Sequence, residues 1–366
     1  MAANPRRWRL AVACGLAVGL AAAGCNGGKG GPPAVAVNGE GATFVEPVMK
    51  EWAADYADKT GNSVTVNYQG KGSGAGVGQM TKKLADFGCT DMPMSRKNVA
   101  EAAANGGAVI HVPLVIGAVV PVYNLPAAGD KPVVFSGPVL AGIFTGKVTR
   151  WNDPTLAALN PGVALPDTAI QPVYRADPSG TSFIFADYLA KVGPEFQSAV
   201  GVSNTPKWPT GVGIAQNKSD GVAGHVSRAV GAVGYVELTY ALDTGATYGA
   251  VVNKAGKAVR ADLASITAAA AASAGAKPTA EPYSLHELTY SLTDAPGEAS
   301  YPIAGMSFAV LYQEQPATPG RAVVDFLTWA TSAEGQAAAQ RRNYAPLPAE
   351  LQAAAARRLG QVTFRP

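Results

Sequence analysis

Stretches with the period of a strand and stretches with the period of a helix follow one another through most of this 366-residue chain. That alternation limits the fold more than any other feature. Val64, Val66 and Tyr68 alternate with Ser63, Thr65 and Asn67, the period of a half-buried strand. Just before them, residues 47–59 place Val48, Trp52 and Tyr56 at i, i+4 and i+8, one apolar stripe of a helix. An apolar run over residues 108–122 is broken at Pro113 and Gly117. Residues 232–236 read as a Gly-flanked strand, preceded by a helix that Ser219 or Asp220 would cap. The alanine-rich stretch 264–276 fits a surface helix of high propensity. A strand is expected over 303–312, then a helix containing Phe326, Leu327 and Ala330, then another over 353–358. Such alternation predicts an α/β architecture with mostly parallel sheets, and its organisation points to two lobes.

Composition removes other classes. At 48% hydrophobic and 15% charged the chain is able to build a core, so disorder is excluded. The net charge of +3 comes from Arg6, Arg7 and Arg9, which precede an apolar run over residues 10–23. A basic start, a short apolar run and small residues before Cys25 make a secretory signal over residues 1–24. The run falls short of the roughly 20 apolar residues that a spanning helix needs. Without those arginines the 29 basic residues fall to 26, matching the 26 acidic ones. A neutral domain lacks the basic face that nucleic acid requires. Ala22-Ala23-Gly24-Cys25 resembles the lipobox of bacterial lipoproteins, in which the cysteine is acylated and becomes the new N-terminus. Ala22 departs from the more frequent Leu, so ordinary signal cleavage nearby is the alternative. Cys14 leaves with the signal and Cys25 carries lipid, so Cys89 remains alone and no intramolecular disulfide supports the core. Residues 25–38 are expected to be the lipidated cysteine and a flexible tether.

Three segments place hydroxyls and glycines where a helix should begin. They are Gly41-Ala42-Thr43-Phe44, residues 70–76 with four glycines around Ser73, and residues 175–182 from Arg175 through Asp177, Ser179, Gly180 and Thr181. A helix start presents unpaired N–H groups and the positive end of the dipole, which favours an anion. Ordinary N-capping is the competing role for Ser, Thr and Asp. Arg175 adds a planar fork matched to an oxyanion. Residues 70–76 fit neither the P-loop nor the dinucleotide pattern, and they also fail the nucleophile-elbow pattern. Residues 86–91 read as a short buried strand with Asp91 at its end. In an anion site such a carboxylate repels a fully deprotonated ligand and accepts a hydrogen bond from a protonated one.

These residues together resemble the phosphate-binding protein of bacterial ABC-type phosphate importers. The likeness is carried by Gly41-Ala42-Thr43-Phe44, Gly72-Ser73, Asp86-Phe87-Gly88 with Asp91, and Arg175-x-Asp177-x-Ser179-Gly180-Thr181-Ser182-Phe183. Lys207-Trp208-Pro209 and Gly231-Ala232-Val233-Gly234-Tyr235-Val236 extend it, in order, over nearly the whole chain after Gly39. The resemblance implies a type II periplasmic-binding-protein fold: two α/β lobes, a hinge and a ligand cleft between them. Lobe I would take residues 39–123 with 300–366, and lobe II residues 124–299. It further implies that Thr43 and Phe44 donate from backbone N–H groups, Thr43 also from its hydroxyl, and that Ser73 donates from both. Asp91 would accept the ligand's proton, Arg175 would pair with its charge, and Ser179, Gly180 and Thr181 would donate from the next helix start. Asp177 would orient the guanidinium. Val45, Gly74, Pro178 and Cys89 depart from the family's usual residues without removing any of these groups.

The expected function is high-affinity binding of inorganic phosphate outside the cytoplasmic membrane, with delivery to a permease and its ATPase subunits. The protein would be a lipid-anchored monomer without cofactor, metal or catalytic residue. A secreted phosphatase or phosphoryl-transfer enzyme using the same cradle is the alternative, and an adhesion or sensor role is a third. An enzyme needs a nucleophile with a base, or metal ligands. His111, His225 and His286 are widely separated and have no metal-ligand spacing.

Overall fold

The computed structural model describes residues 34–273 and 291–366. The expected signal, the expected lipid-bearing Cys25 and the glycine-rich residues 26–33 lie outside the described residues, as do His286 and the end of the alanine-rich stretch 264–276. Strand β1 (Val35–Gly41) opens the described chain, so regular structure begins inside the stretch expected as a tether.

Eight strands form one sheet. After β1 come β2 (Val64–Gly70), β3 (Phe87–Thr90), β4 (Val109–Tyr123) and β5 (Gln171–Arg175). They are followed by β6 (Ile214–Gln216), β7 (Ala232–Glu237) and β8 (Ala304–Tyr312). The spatial order is β2-β1-β3-β8-β4-β7-β5-β6. β1 pairs in parallel with β2 and β3, and β5 pairs in parallel with β6 and β7. That fits the mostly parallel sheet expected from sequence, and the middle is the exception: β3–β8, β8–β4 and β4–β7 are antiparallel. The chain enters β8 from the far half rather than through a local strand–helix–strand crossover, so nothing imposes the parallel sense there.

β4 is the spine. Its first part pairs with β8 up to Ala118, and Val119–Tyr123 pair with β7. The apolar run was expected to break at Pro113 and Gly117, yet it is one continuous buried strand. Pro113 is accommodated because the register shifts there: Phe308 faces Pro113 while Ser307 faces Val115, leaving Leu114 as the extra residue of a bulge. Gly117 is set by close approach, since a Cβ there would meet Phe44 Cζ at 2.8 Å.

Helix α1 (Glu46–Lys59) buries Val48, Trp52 and Tyr56, the stripe read from the sequence. The Trp52 indole donates to the Gly335 carbonyl at 2.7 Å, fastening α1 to the C-terminal helices. Helices α2 (Ser73–Thr81), α3 (Gly180–Val192) and α4 (Lys218–Arg228) follow β2, β5 and β6. The alanine-rich segment is helical over Leu263–Ala272, but it is not a surface helix along its whole girth: Ile266, Ala269 and Ala270 are buried. A face made of alanine shows no contrast with its neighbours, so the sequence pattern conceals which side packs.

Trp52→Ala is expected to cost about 3–5 kcal/mol, the range for truncating a buried large aromatic. A urea titration checks this, and a loss under about 1 kcal/mol would contradict the anchoring role of α1.

Candidate functional site

The helices α1 to α4 begin at the carboxyl ends of the parallel strands that precede them, where open α/β sheets gather ligands. The turns after β1, β2 and β3 are laced together. The Ala42 N–H donates to the Cys89 carbonyl at 2.9 Å, and the N–H groups of Lys71 and Gly72 donate to the Gly41 carbonyl at 2.9 and 2.8 Å. Phe44 is anchored behind Thr43, with its carbonyl accepting the Tyr344 hydroxyl at 2.6 Å. Ser73 opens α2, and Asp91 stands one residue past β3. The Ser73 hydroxyl donates to Asp91 Oδ2 at 3.1 Å and accepts from the Asp91 N–H at 3.2 Å.

Arg175 ends β5 with its side chain 1% exposed. Its Nε donates to Asp177 Oδ1 at 2.8 Å, and its Nη2 pairs with the other oxygen of the same carboxylate. Asp177 is oriented in turn by the Lys218 N–H at 2.8 Å. The remaining nitrogen, Nη1, reaches Thr43 Oγ1 and Ser219 Oγ, each at 3.2 Å. Thr43 and Ser219 share a hydrogen bond of 3.0 Å. β1 lies next to one edge of the sheet and β6 forms the opposite edge. The meeting of Thr43 with Ser219 therefore requires the sheet to curl until its two halves face each other.

The start of α3 closes the ring. A Cβ on Gly180 would lie 2.4 Å from Ser73 Oγ and 2.5 Å from Asp91 Oδ2, so only a glycine lets this backbone rest there. Ser179 caps α3 by accepting from the Ser182 N–H at 3.2 Å, which leaves its own hydroxyl hydrogen to donate. Both the capping and the anion-binding readings of Ser179 are thus compatible. Thr181 is buried and its hydroxyl has no hydrogen-bond partner. Thr43, Phe44, Ser73, Asp91, Arg175, Asp177, Ser179, Gly180 and Thr181 are brought together here, while Cys25 lies outside the described residues.

Asp91 carries the unusual electrostatics. Burial pushes its carboxyl from 3.8 up to about 7, against the opposing pull of the Ser307 and Ser73 hydroxyls and the Arg175 charge. The Ser307 hydroxyl is buried and makes no hydrogen bond. Asp91 Oδ1 has no partner either. Asp177 behaves oppositely: burial raises it, but the bonds and charge of Arg175 and the Lys218 N–H outweigh burial and hold it below the ordinary carboxylate range. A buried cation, hydroxyls at helix starts and one raised carboxyl can enclose an oxyanion and test it for a proton.

Two neighbours escaped the sequence reading. Ser219 is not the cap of α4, whose N-cap is Asn217; it lies in the first turn and points at Thr43 and Arg175. Ser307 could have been noticed as the one serine inside the apolar strand 304–312. His111 accepts the Met94 N–H at 3.0 Å, and His225 lies between Gln171 and Gln216. Among the described residues no cluster of three or more His, Cys, Asp or Glu is placed to hold a metal.

A profile of the PBP superfamily domain matches residues 27–334, which defines the class: a two-lobed binding protein of the type II fold. The chain is 38% identical over 318 residues to the phosphate-binding protein PstS of Xylella fastidiosa (strain 9a5c), covering 87% of this chain and 83% of that protein. It is 40% identical over 317 residues to the phosphate-binding protein PstS of Pasteurella multocida (strain Pm70), covering 86% and 87%. Its fold matches a high affinity periplasmic phosphate-binding protein, PfluDING, solved bound with phosphate at pH 8.5. That match has a TM-score of 0.68 at 22% identity, over 87% of this chain and 92% of that one. The chain belongs to the PstS phosphate-binding protein family.

The raised Asp91 carboxyl has a consequence for stability. Its folded value lies above 3.8, so the folded state holds this proton more tightly than the unfolded chain. Stability from this group is complete below about pH 4 and is lost as pH rises towards 7. Glu237, pushed by burial up to about 8, adds the same sign, so the Asp91→Asn difference is the clean measure. Denaturation of the unliganded protein should show Asp91→Asn gaining on the wild type by on the order of 4 kcal/mol between pH 4 and 7. A pH-independent difference would mean that folded Asp91 titrates like an exposed acid.

Proposed function

We propose that this chain binds inorganic phosphate outside the cytoplasmic membrane and delivers it to an ABC-type phosphate permease. One observation carries the reading: Asp91, with an oxygen free of partners, faces the ring of donors built on Arg175. Thr43 and Phe44 donate from the start of α1, Ser73 from α2, and Ser179, Gly180 and Thr181 from α3, while Arg175 supplies the charge. Asp177 fixes the guanidinium from behind. Phosphate near neutral pH keeps a proton that the Asp91 carboxylate accepts. Sulfate has none, and would set a negative oxygen against a buried negative one.

In this reading residues 39–123 with 300–366 move as one lobe and 124–299 as the other, the end of β4 pairing across to β7, and the ligand holds them closed. The chain works as a monomer without cofactor, exported by residues 1–24 and anchored through acylated Cys25. Among the described residues no helix is long and apolar enough to cross a membrane. The phosphatase alternative gains no support, since the PstS relatives are named as binding proteins. The Ser73 hydroxyl has only a carboxylate beside it, and His111 and His225 are engaged elsewhere.

Calorimetric titration should show wild-type protein binding phosphate and rejecting sulfate. Asp91→Asn should lose more discrimination than phosphate affinity, with the gap between the anions narrowing by about 1–3 kcal/mol. Unchanged selectivity would remove Asp91 from the role of proton acceptor. Incubation with a chromogenic phosphate ester should give no turnover. Turnover lost on Ser73→Ala would establish the enzyme instead.

A further inference from the structure

Ser219 lies outside the residues assigned to the anion, yet its side chain is fully buried and its oxygen sits within bonding distance of two of them. A threonine hydroxyl has one hydrogen to give and two lone pairs to fill. Thr43 Oγ1 receives an N–H from Arg175 at 3.2 Å. Ser219 Oγ receives its own N–H from Arg175, also at 3.2 Å, so its hydrogen is directed elsewhere, and Thr43 stands 3.0 Å away. We propose that Ser219 donates to Thr43 and thereby fills its second lone pair, compelling the Thr43 hydroxyl to spend its hydrogen on the anion.

Ser219 is thus a positioning residue that acts through Thr43. It makes a rotatable hydroxyl into a committed donor whenever the two halves face each other, and preorganisation of this kind strengthens binding without a new contact. The same bond joins the turn after β1 to the turn after β6, at opposite sides of the sheet, so it forms only when the two halves face each other. Its loss should therefore speed ligand release and leave association almost unaffected. Asp177 holds Lys218, the residue before Ser219, through its backbone N–H at 2.8 Å, so the carboxylate that aims Arg175 also sets the start of α4.

The inference rests on the phosphate-binding reading, and a double-mutant cycle separates the two. Phosphate affinity and release rate are measured for wild type, Ser219→Ala, Thr43→Ala and the double variant, with melting curves of the unliganded proteins. Ser219→Ala should weaken phosphate binding about tenfold, through faster release, in the presence of Thr43. In the Thr43→Ala background the same change should matter less than about twofold, because the hydroxyl it orients is gone. Equal losses in both backgrounds, or a loss that tracks the unliganded melting temperature, would assign Ser219 a packing role and overturn the proposal. No loss at all would overturn it too. Wild-type protein that fails to bind phosphate would defeat the phosphate reading itself, whereas tight wild-type binding with an additive cycle defeats the Ser219 role alone.

Discussion

The buried guanidinium of Arg175 is the constraint on which the rest of the site depends. A cation with 1% of its side chain exposed is tolerated only when it is paired and its donors are satisfied. Asp177 takes two of its three nitrogens, and Thr43 and Ser219 share the third. One carboxylate thus leaves the opposite end of the fork directed at Ser219 beside it and at Thr43 from the far side of the sheet. An arginine held at only one point would swing; this one is clamped from behind and faces forward.

The two halves of the sheet meet through one strand. β4 runs through both halves of the sheet, hydrogen-bonded to β8 along its first part and to β7 along its last. A single strand is thus common to both halves. The faces that meet are strand ends and helix starts, rich in unpaired N–H groups, so an anion between them offsets the positive ends of several dipoles at once. Burial then sharpens the chemistry. The low dielectric that strengthens each donor also raises the Asp91 carboxyl to about 7, within reach of the protonation equilibrium of phosphate itself.

The elements with strong periodicity were legible from the residues alone. The Val48, Trp52 and Tyr56 stripe became the buried face of α1, and the alternation through Val64, Val66 and Tyr68 became β2. The site was legible as short motifs because each motif is local: a strand end, a turn and a helix start within a few residues. Ser219 was misread as a cap because capping is the commonest local role for serine, and its true partners are 176 and 44 residues away in sequence. Pro113 looked like a break because the bulge at Leu114 that absorbs it exists only once β4 is paired with β8.

The order of strands and helices, the hydroxyl and glycine turns at helix starts, and the presence of Arg175, Asp177 and Asp91 are properties of the chain as written. They are local because hydrophobic period, capping and charge act over a few residues. Folding in three dimensions decided the antiparallel centre, the curl that sets β1 against β6, the elevated Asp91 carboxyl, and the recruitment of Ser219 and Ser307. Those depend on which distant groups share one dry volume, and desolvation and hydrogen-bond partnership exist only once that volume has formed.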